Sequence, residues 1–527
     1  MRQSCRGKVG KLFAYITRRL GMMLLIVFGA SFMAYNLEAI SSDPLAELQQ
    51  STAVNKQYLI DRMTRELQLD VPPPLRYFLW LRGLVAGLWG HFDLGGTRDQ
   101  HSVAEYIGAA IPTTFRLVIG STVLAIVLGI TIGMVTALRQ YSRFDYSMTF
   151  VSFLLFSLPI FWVAVLLKEY LAIQFNDFLA DPTITPPFLI GFSIVGGLIM
   201  AGIIGGERKR FFTTWAVVAV GTGILMQLMS MTQWFIHPGL GIIGVAVFAF
   251  GFAVAMTHLS TGLEDKKALY AALGTAAAVT VLYYPINLWL FTSKAGLWTV
   301  GLAIVLIQAV AAAIGYFITK IDRRSIMRTA MLTGLLASLP LILDRFMQEF
   351  GSYMNSDAIN GRPVPTIGQA NQLLDPAQAH NFWINSLDGI MHVILPTIAL
   401  TLISFAGYVR FSRGSLLEVL NMDYIRTARA KGLTERTVIV RHALRNAMLP
   451  LTTILVNDFA GVLGGAIITE GVFGWKGMGQ LFAQAIGTYD LNLFMGVFII
   501  GAVLTVVANL VADLLFGVVD PRIRIRK

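Results

Sequence analysis

Apolar runs of about 20 residues or more recur along this chain, and charges gather in short stretches between them. A helix of that length spans the hydrocarbon core of a bilayer, so repeated runs mark a polytopic membrane protein. The expected fold is all-α, a membrane helical bundle. Composition agrees: 55% of the 527 residues are hydrophobic and 13% charged, against about 25% charged in soluble domains. The net charge of +11 resides largely in loops, where it reports topology rather than a nucleic-acid footprint. The single cysteine, Cys5, supplies neither a disulfide framework nor a cysteine metal site.

Taken in order, residues 1–19 hold six basic residues and no acid, and the apolar run 20–37 follows. No small-x-small cleavage site follows it, so it is expected to be an uncleaved first span with a cytoplasmic N-terminus. Residues 38–110 are polar and external by alternation, with helical stretches near 45–69 and 75–90. There Tyr77, Trp80 and Trp89 suit an interfacial position. The run 111–138 is the second span, with Gly129 and Gly133 forming a small-residue face. The third is 146–171, kinked at Pro159. Six more runs lie at 186–206, 211–236, 239–263, 268–293, 295–319 and, more weakly, 329–343, where Asp344 and Arg345 interrupt it. The intervening loops alternate, nine basic residues on one side against three on the other, as the positive-inside rule requires. A polar external loop at 348–388 precedes spans at 389–408, 449–469 and 491–518. That predicts twelve spans with both termini cytoplasmic, the basic tail 520–527 included. His258 and His392 fall near span ends as interfacial residues.

One polar island stands out in the C-terminal half, residues 422–450, MDYIRTARAKGLTERTVIVRHALRNAMLP. Gly432 can end one helix, and Thr434 can N-cap the next. Pro450 can open the following apolar run, since proline fits a first helical turn. The pattern is helix, tight turn, helix between two spans. A basic helix-turn-helix can read DNA, but tethering between spans argues against a nucleic-acid partner.

Residues 423–450 resemble the cytoplasmic coupling loop of bacterial ABC importer permeases, closest to the B-type subunit of dipeptide/oligopeptide importers. Further segments agree in order, among them SLPIFW (157–162), HVILPTIAL (392–400), EGVFGWKGMG (470–479) and NLVADLLFGVVDPRIR (509–524). The resemblance covers residues 12–172 and 388–527 and implies a six-span type I permease core. It divides the chain into an N-terminal core part (1–172), an insert of about six extra spans (173–387) and a C-terminal core part (388–527). Arg426 and Thr427 stand where the generic loop has Glu and Ala, as the peptide subfamily does. The insert resembles no family, and its even number of crossings leaves the coupling loop 422–448 cytoplasmic.

The resemblance implies a transport subunit rather than an enzyme, in the bacterial inner membrane. Its implied partners are a second permease, two cytoplasmic ATPases and an extracellular or periplasmic solute-binding protein, with a peptide as cargo. No G-x-x-x-x-G-K-[ST] phosphate loop occurs, so ATP and Mg are expected on the ATPase subunits. The expected contact residues are Asp423, Arg426, Ala428, Arg429, Lys431, Gly432, Leu433 and Glu435. The alternative, an ion-gradient-driven secondary transporter of twelve spans, would need intramembrane carboxylates. Asp458 and Asp513 are the candidates, each with a plain structural reading as a hydrogen-bonding group. No halves repeat in the sequence.

Overall fold

The computed structural model describes residues 2–519 apart from 42, 51, 53, 90–92, 100, 293–295 and 319–321, and apart from some side chains, notably those of 2–16, 436, 459–465 and 512–519. Among the described residues every regular element is helical, with one isolated bridge between Gly96 and Ser102. Among the described residues, nine helices are long and apolar enough to cross a membrane, or up to eleven if each of two bent pairs counts as one span. The helix containing 449–469 is not among them, and many of its side chains lie outside the described residues. The expected tail 520–527 also lies outside them.

The chain divides into two units. The first comprises residues 1–168, 367–369 and 393–527; the second comprises 169–366 and 370–392. The first unit opens with α1 (Arg2–Ser41), α2 (Ala46–Gln50), α3 (Lys56–Glu66), α4 (Pro73–Ala86), α5 (Val103–Leu138), α6 (Arg143–Ser157) and α7 (Ile160–Leu167). The second unit holds α8 (Gln174–Ala180), α9 (Pro186–Ile204), α10 (Arg208–Met231), α11 (Gly241–Ser260), α12 (Lys266–Val281), α13 (Tyr283–Thr292), α14 (Leu297–Ile318), α15 (Arg323–Met354) and α16 (Pro376–His380). Helix α17 (Phe382–Leu420) leads back into the first unit, followed by α18 (Asp423–Ala430), α19 (Glu435–Thr437), α20 (Leu444–Phe473), α21 (Met478–Gly487) and α22 (Leu491–Val519).

In the first unit, the glycine face of α5 works as its spacing suggests. A side chain at Gly129 would collide with Tyr408 of α17, and one at Gly133 with Ser412. Lipid offers no hydrophobic drive between helices, so such close approach is what brings dispersion and polar contacts into play. Ser412 donates to the Gly129 carbonyl at 3.2 Å, and Thr401 to the Ser121 carbonyl at 3.3 Å.

Two aromatic expectations are corrected here. Tyr77 and Trp80 are buried rather than interfacial, packed with Tyr35 of α1; Tyr77 shares a 2.9 Å hydrogen bond with the Ser31 hydroxyl. Trp89 is exposed as expected. Pro159 makes a break rather than a kink: the helix after it leaves α6 at 102°. Proline removes a backbone donor and drives the residue before it to extended geometry, and Leu158 sits at φ −83°, ψ 131°.

The second unit packs α11, α12, α14 and α15 through small side chains, including Ala249, Ala272, Ala303 and Ala337. The run at 268–293 is bent by 43° between α12 and α13, because Pro285 cannot donate to the Val281 carbonyl one turn back. Asp344 and Arg345 do not interrupt the sixth inserted run. Helix α15 passes through both unbroken, with exposures of 1% and 3%. Each finds internal partners, as burial of a charge demands. Asp344 accepts from the Leu240 and Gly241 amides at 2.6 and 2.9 Å, from the Tyr283 hydroxyl at 2.6 Å and from Gln348 at 2.8 Å. It thereby caps the N-terminus of α11 from another helix. Arg345 pairs with Glu349 and lies over the rings of Phe291 and Trp383. His392, expected near an interface, is buried with Nδ1 2.8 Å from the Asp388 carbonyl oxygen.

Two substitutions test these seams. Gly133→Val is expected to destabilise the detergent-solubilised protein by about 1–3 kcal/mol, while Gly120→Ala, with open space around it, leaves the melting temperature unchanged. Asp344→Asn turns two donors of its own toward existing donors and is expected to cost roughly 1–3 kcal/mol. An unchanged melting curve for either Gly133→Val or Asp344→Asn contradicts the corresponding packing.

Candidate functional site

The polar island forms a short exposed helix lying against the helices of its own bundle. Two apolar residues of helix α18, Ile425 and Ala428, lie three apart and share a face. Both are buried, at 0% and 7% exposure, in a cluster with Ala137 of α5, Leu416 and Val419 of α17, and Val438, Ala443 and Ala447. Two polar ties flank this cluster. Ser415 donates to the Ala447 carbonyl at 2.8 Å, and Asn446 donates to the Tyr424 hydroxyl at 2.9 Å.

The turn after α18 is built as its residues dictate. Gly432 adopts φ +75°, a left-handed value at which a side chain would be strained. Thr434 caps α19, its hydroxyl accepting from the Thr437 amide at 3.4 Å. Arg429 and Glu435 form a two-pronged pair across the turn, at 2.6 and 3.1 Å. The Arg429 guanidinium holds the Glu435 carboxyl below the usual range. Asp423 stands in the first turn of α18, where a negative charge suits the helix dipole, with Arg426 3.6 Å away.

The second helix starts after Thr434 as expected, but the following apolar run does not open a new helix at Pro450. Helical backbone runs on from Glu435 through a wider-wound segment, Val438–Ala443, into α20, and Pro450 lies inside that helix. Membrane helices tolerate internal proline because neighbours and local rewinding satisfy the freed groups.

Of the eight expected contact residues, seven present themselves to solvent: Asp423, Arg426, Arg429, Lys431, Gly432, Leu433 and Glu435. Ala428 does not, and its small side chain instead lets α18 approach its own bundle. Ile425 and Tyr424 were not singled out from the sequence, although the 425/428 spacing carries the signal. Asp458 is half-buried in α20 beside the Tyr408 hydroxyl of α17. The Asp513 side chain lies outside the described residues.

Two further constellations brace the site. Asp145, buried at the start of α6, receives Arg413 of α17 through two bonds of 2.8 and 2.9 Å. At the opposite end of α20, the EGVFGWKGMG segment is a turn closed by its own glutamate. Buried Glu470 accepts from the Thr114 hydroxyl at 2.6 Å and from the Gln480 amide at 2.9 Å, so it caps α21. A side chain at Gly477 would overlap that carboxylate. Gly474 turns the chain at φ +65°.

Residues 331–525, which include α18 and its turn, match the family described as binding-protein-dependent transport system inner membrane component. The match covers that stretch, 195 of the 527 residues. Similar proteins include the dipeptide transport system permease protein DppB of Escherichia coli (strain K12). It is 48% identical over 143 residues, 27% of this chain and 42% of that protein. The oligopeptide transport system permease protein AppB of Bacillus subtilis (strain 168) is 46% identical over 143 residues, 27% of this chain and 45% of that one. The oligopeptide transport system permease protein OppB of Mycobacterium tuberculosis (strain ATCC 25618 / H37Rv) is 38% identical over 150 residues, 28% and 46% of the two chains. The chain thus spans less than half the length of these relatives. The family match begins within α15, upstream of the residue 388 at which the C-terminal resemblance was expected to start.

The Arg429–Glu435 pair carries a pH signature. Because the Glu435 pKa is lowered in the folded loop, the pair contributes above the unfolded value of about 4.3. That contribution is lost as pH falls through the lower folded value. Both side chains are largely exposed, so it amounts to about 1 kcal/mol or less. Hydrogen exchange of the 423–437 amides, corrected for intrinsic rates, is expected to speed up on acidification in the wild type. Glu435→Gln should show the faster exchange already at neutral pH; equal protection in both proteins excludes the pair as a brace.

Proposed function

We propose that this chain is a membrane permease subunit of an ATP-driven importer in the bacterial inner membrane. Separate ATPase subunits would grip the exposed face of α18, and a binding protein would deliver cargo from the other side. The observation that carries this reading is the division of α18 into two faces. Ile425 and Ala428 anchor it to three long helices, while Asp423, Arg426, Lys431 and Leu433 stand free of the bundle. A short helix so presented can seat in a partner groove, and movement of the partner would carry the helices with it. The match of 331–525 to a binding-protein-dependent transport family supports the same reading. The partners are a second permease, two cytoplasmic ATPases and an extracellular or periplasmic solute-binding protein, and ATP with Mg binds on the ATPases. The names of the similar permeases, dipeptide and oligopeptide, support a peptide cargo. Both termini and the 422–448 loop are cytoplasmic in this proposal. Residues 173–387 are an insertion whose apolar runs return the chain to the side it left.

Affinity purification of the full chain from membranes tests this. Two ATPases should co-purify, with ATP hydrolysis stimulated by peptide-loaded binding protein. The double variant Arg426→Glu/Lys431→Glu should lose the ATPases while keeping the wild-type melting temperature, since neither side chain is buried. Retained ATPases in that variant would reject the α18 face as the contact. Peptide uptake that persists without ATP but collapses with an ionophore would replace the proposal by an ion-driven carrier.

A further inference from the structure

A groove on the first unit, between α6 and α17, is not used by the coupling site. It encloses a cavity of about 230 Å³, walled by Phe153, Phe156, Ala406 and Val409, with Arg410 at its mouth. Phe153 and Phe156 are each more than half exposed. The Arg410 guanidinium lies over the rings of Phe156 and Phe411, at 4.5 and 5.2 Å from their centroids. Stacking fixes the plane of the group and leaves its edge donors pointing outward. Among the described residues, no carboxylate lies within ion-pair distance of Arg410. Its neighbour Arg413 differs, being committed to Asp145 by two hydrogen bonds. The remaining Asp145 contacts, the Tyr141 amide and the Thr149 hydroxyl, further occupy that carboxylate, so it does not cancel the charge at the mouth.

We propose that this groove binds an anionic phospholipid, its phosphate on Arg410 and an acyl chain along Phe153, Ala406 and Val409. The site is amphipathic in the same sense as the lipid. Arg410 stands within the spanning helix α17, and the walls beside it are mostly apolar, with Thr149, Ser152 and the Asp145-paired Arg413 as the polar members. Guanidinium edges suit phosphate oxygens, and basic positions between helices at a membrane surface recruit anionic headgroups. A soluble phosphate would gain nothing from the apolar walls, and a zwitterionic lipid would gain less from the cation.

The test is native mass spectrometry of the detergent-solubilised full chain. It is titrated with phosphatidylglycerol or with phosphatidylcholine of the same acyl chains. Phosphatidylglycerol should be retained about tenfold better, the scale of one charge-assisted hydrogen bond. Arg410→Gln should abolish that preference, Arg410→Lys should restore part of it, and Arg62→Gln, an exposed arginine paired with Glu66, should leave it intact. Phe153→Ser should weaken both lipids alike. The proposal is overturned if Arg410→Gln keeps the preference, if the wild type shows none, or if glycerol 3-phosphate displaces the lipid at equal concentration. The measurement needs neither ATP nor partner subunits, so its outcome is separate from that of the transport function.

Discussion

In a bilayer, a polar group that finds no partner within the protein has no water to turn to. That constraint shapes most of what is unusual in this chain. It explains why Asp344 gathers four donors and why Glu470 folds back onto the start of α21. It also explains why threonines such as Thr257, Thr275 and Thr333 return their hydroxyls to carbonyls one turn earlier. Lipid tails are as apolar as leucine, so helix association in such a medium leans on close approach and these polar ties. The seams accordingly include many glycine, alanine, serine and threonine residues beside buried aliphatics such as Leu117, Ile307 and Leu416.

The same economy governs the polar island. Its charged residues are spent on the outside and within the turn, and only two side chains of α18, Ile425 and Ala428, are buried. A surface loop of this composition could move independently of the bundle beneath it. Here two buried side chains and the Tyr424–Asn446 and Ser415–Ala447 bonds prevent that. The loop is therefore mechanically part of α5, α17 and α20.

The all-helical fold was legible because apolar runs of membrane length are a strong, local signal. So were the Gly432 turn and the Thr434 cap, each decided by one residue and its neighbours. What escaped the sequence depends on partners far along the chain. Asp344 and Arg345 read as an interruption because three of the four donors to Asp344 lie 61 to 104 residues away. Tyr77 and Trp80 read as interfacial because amphipathic aromatics suit both a membrane surface and a buried seam. Pro450 read as a helix start because the soluble-protein rule was applied where lipid and neighbours permit an internal proline. Ala428 reads from its size as a close-approach position, and the surface it meets belongs to its own bundle.

Helix α20 has a further consequence. It is 30 residues long, about 45 Å at the usual rise per residue. One end continues into the α18 turn, and the other carries the glutamate that caps α21. Because Glu470 is bonded both to Thr114 of α5 and to the first turn of α21, any displacement of that end of α20 strains both bonds together.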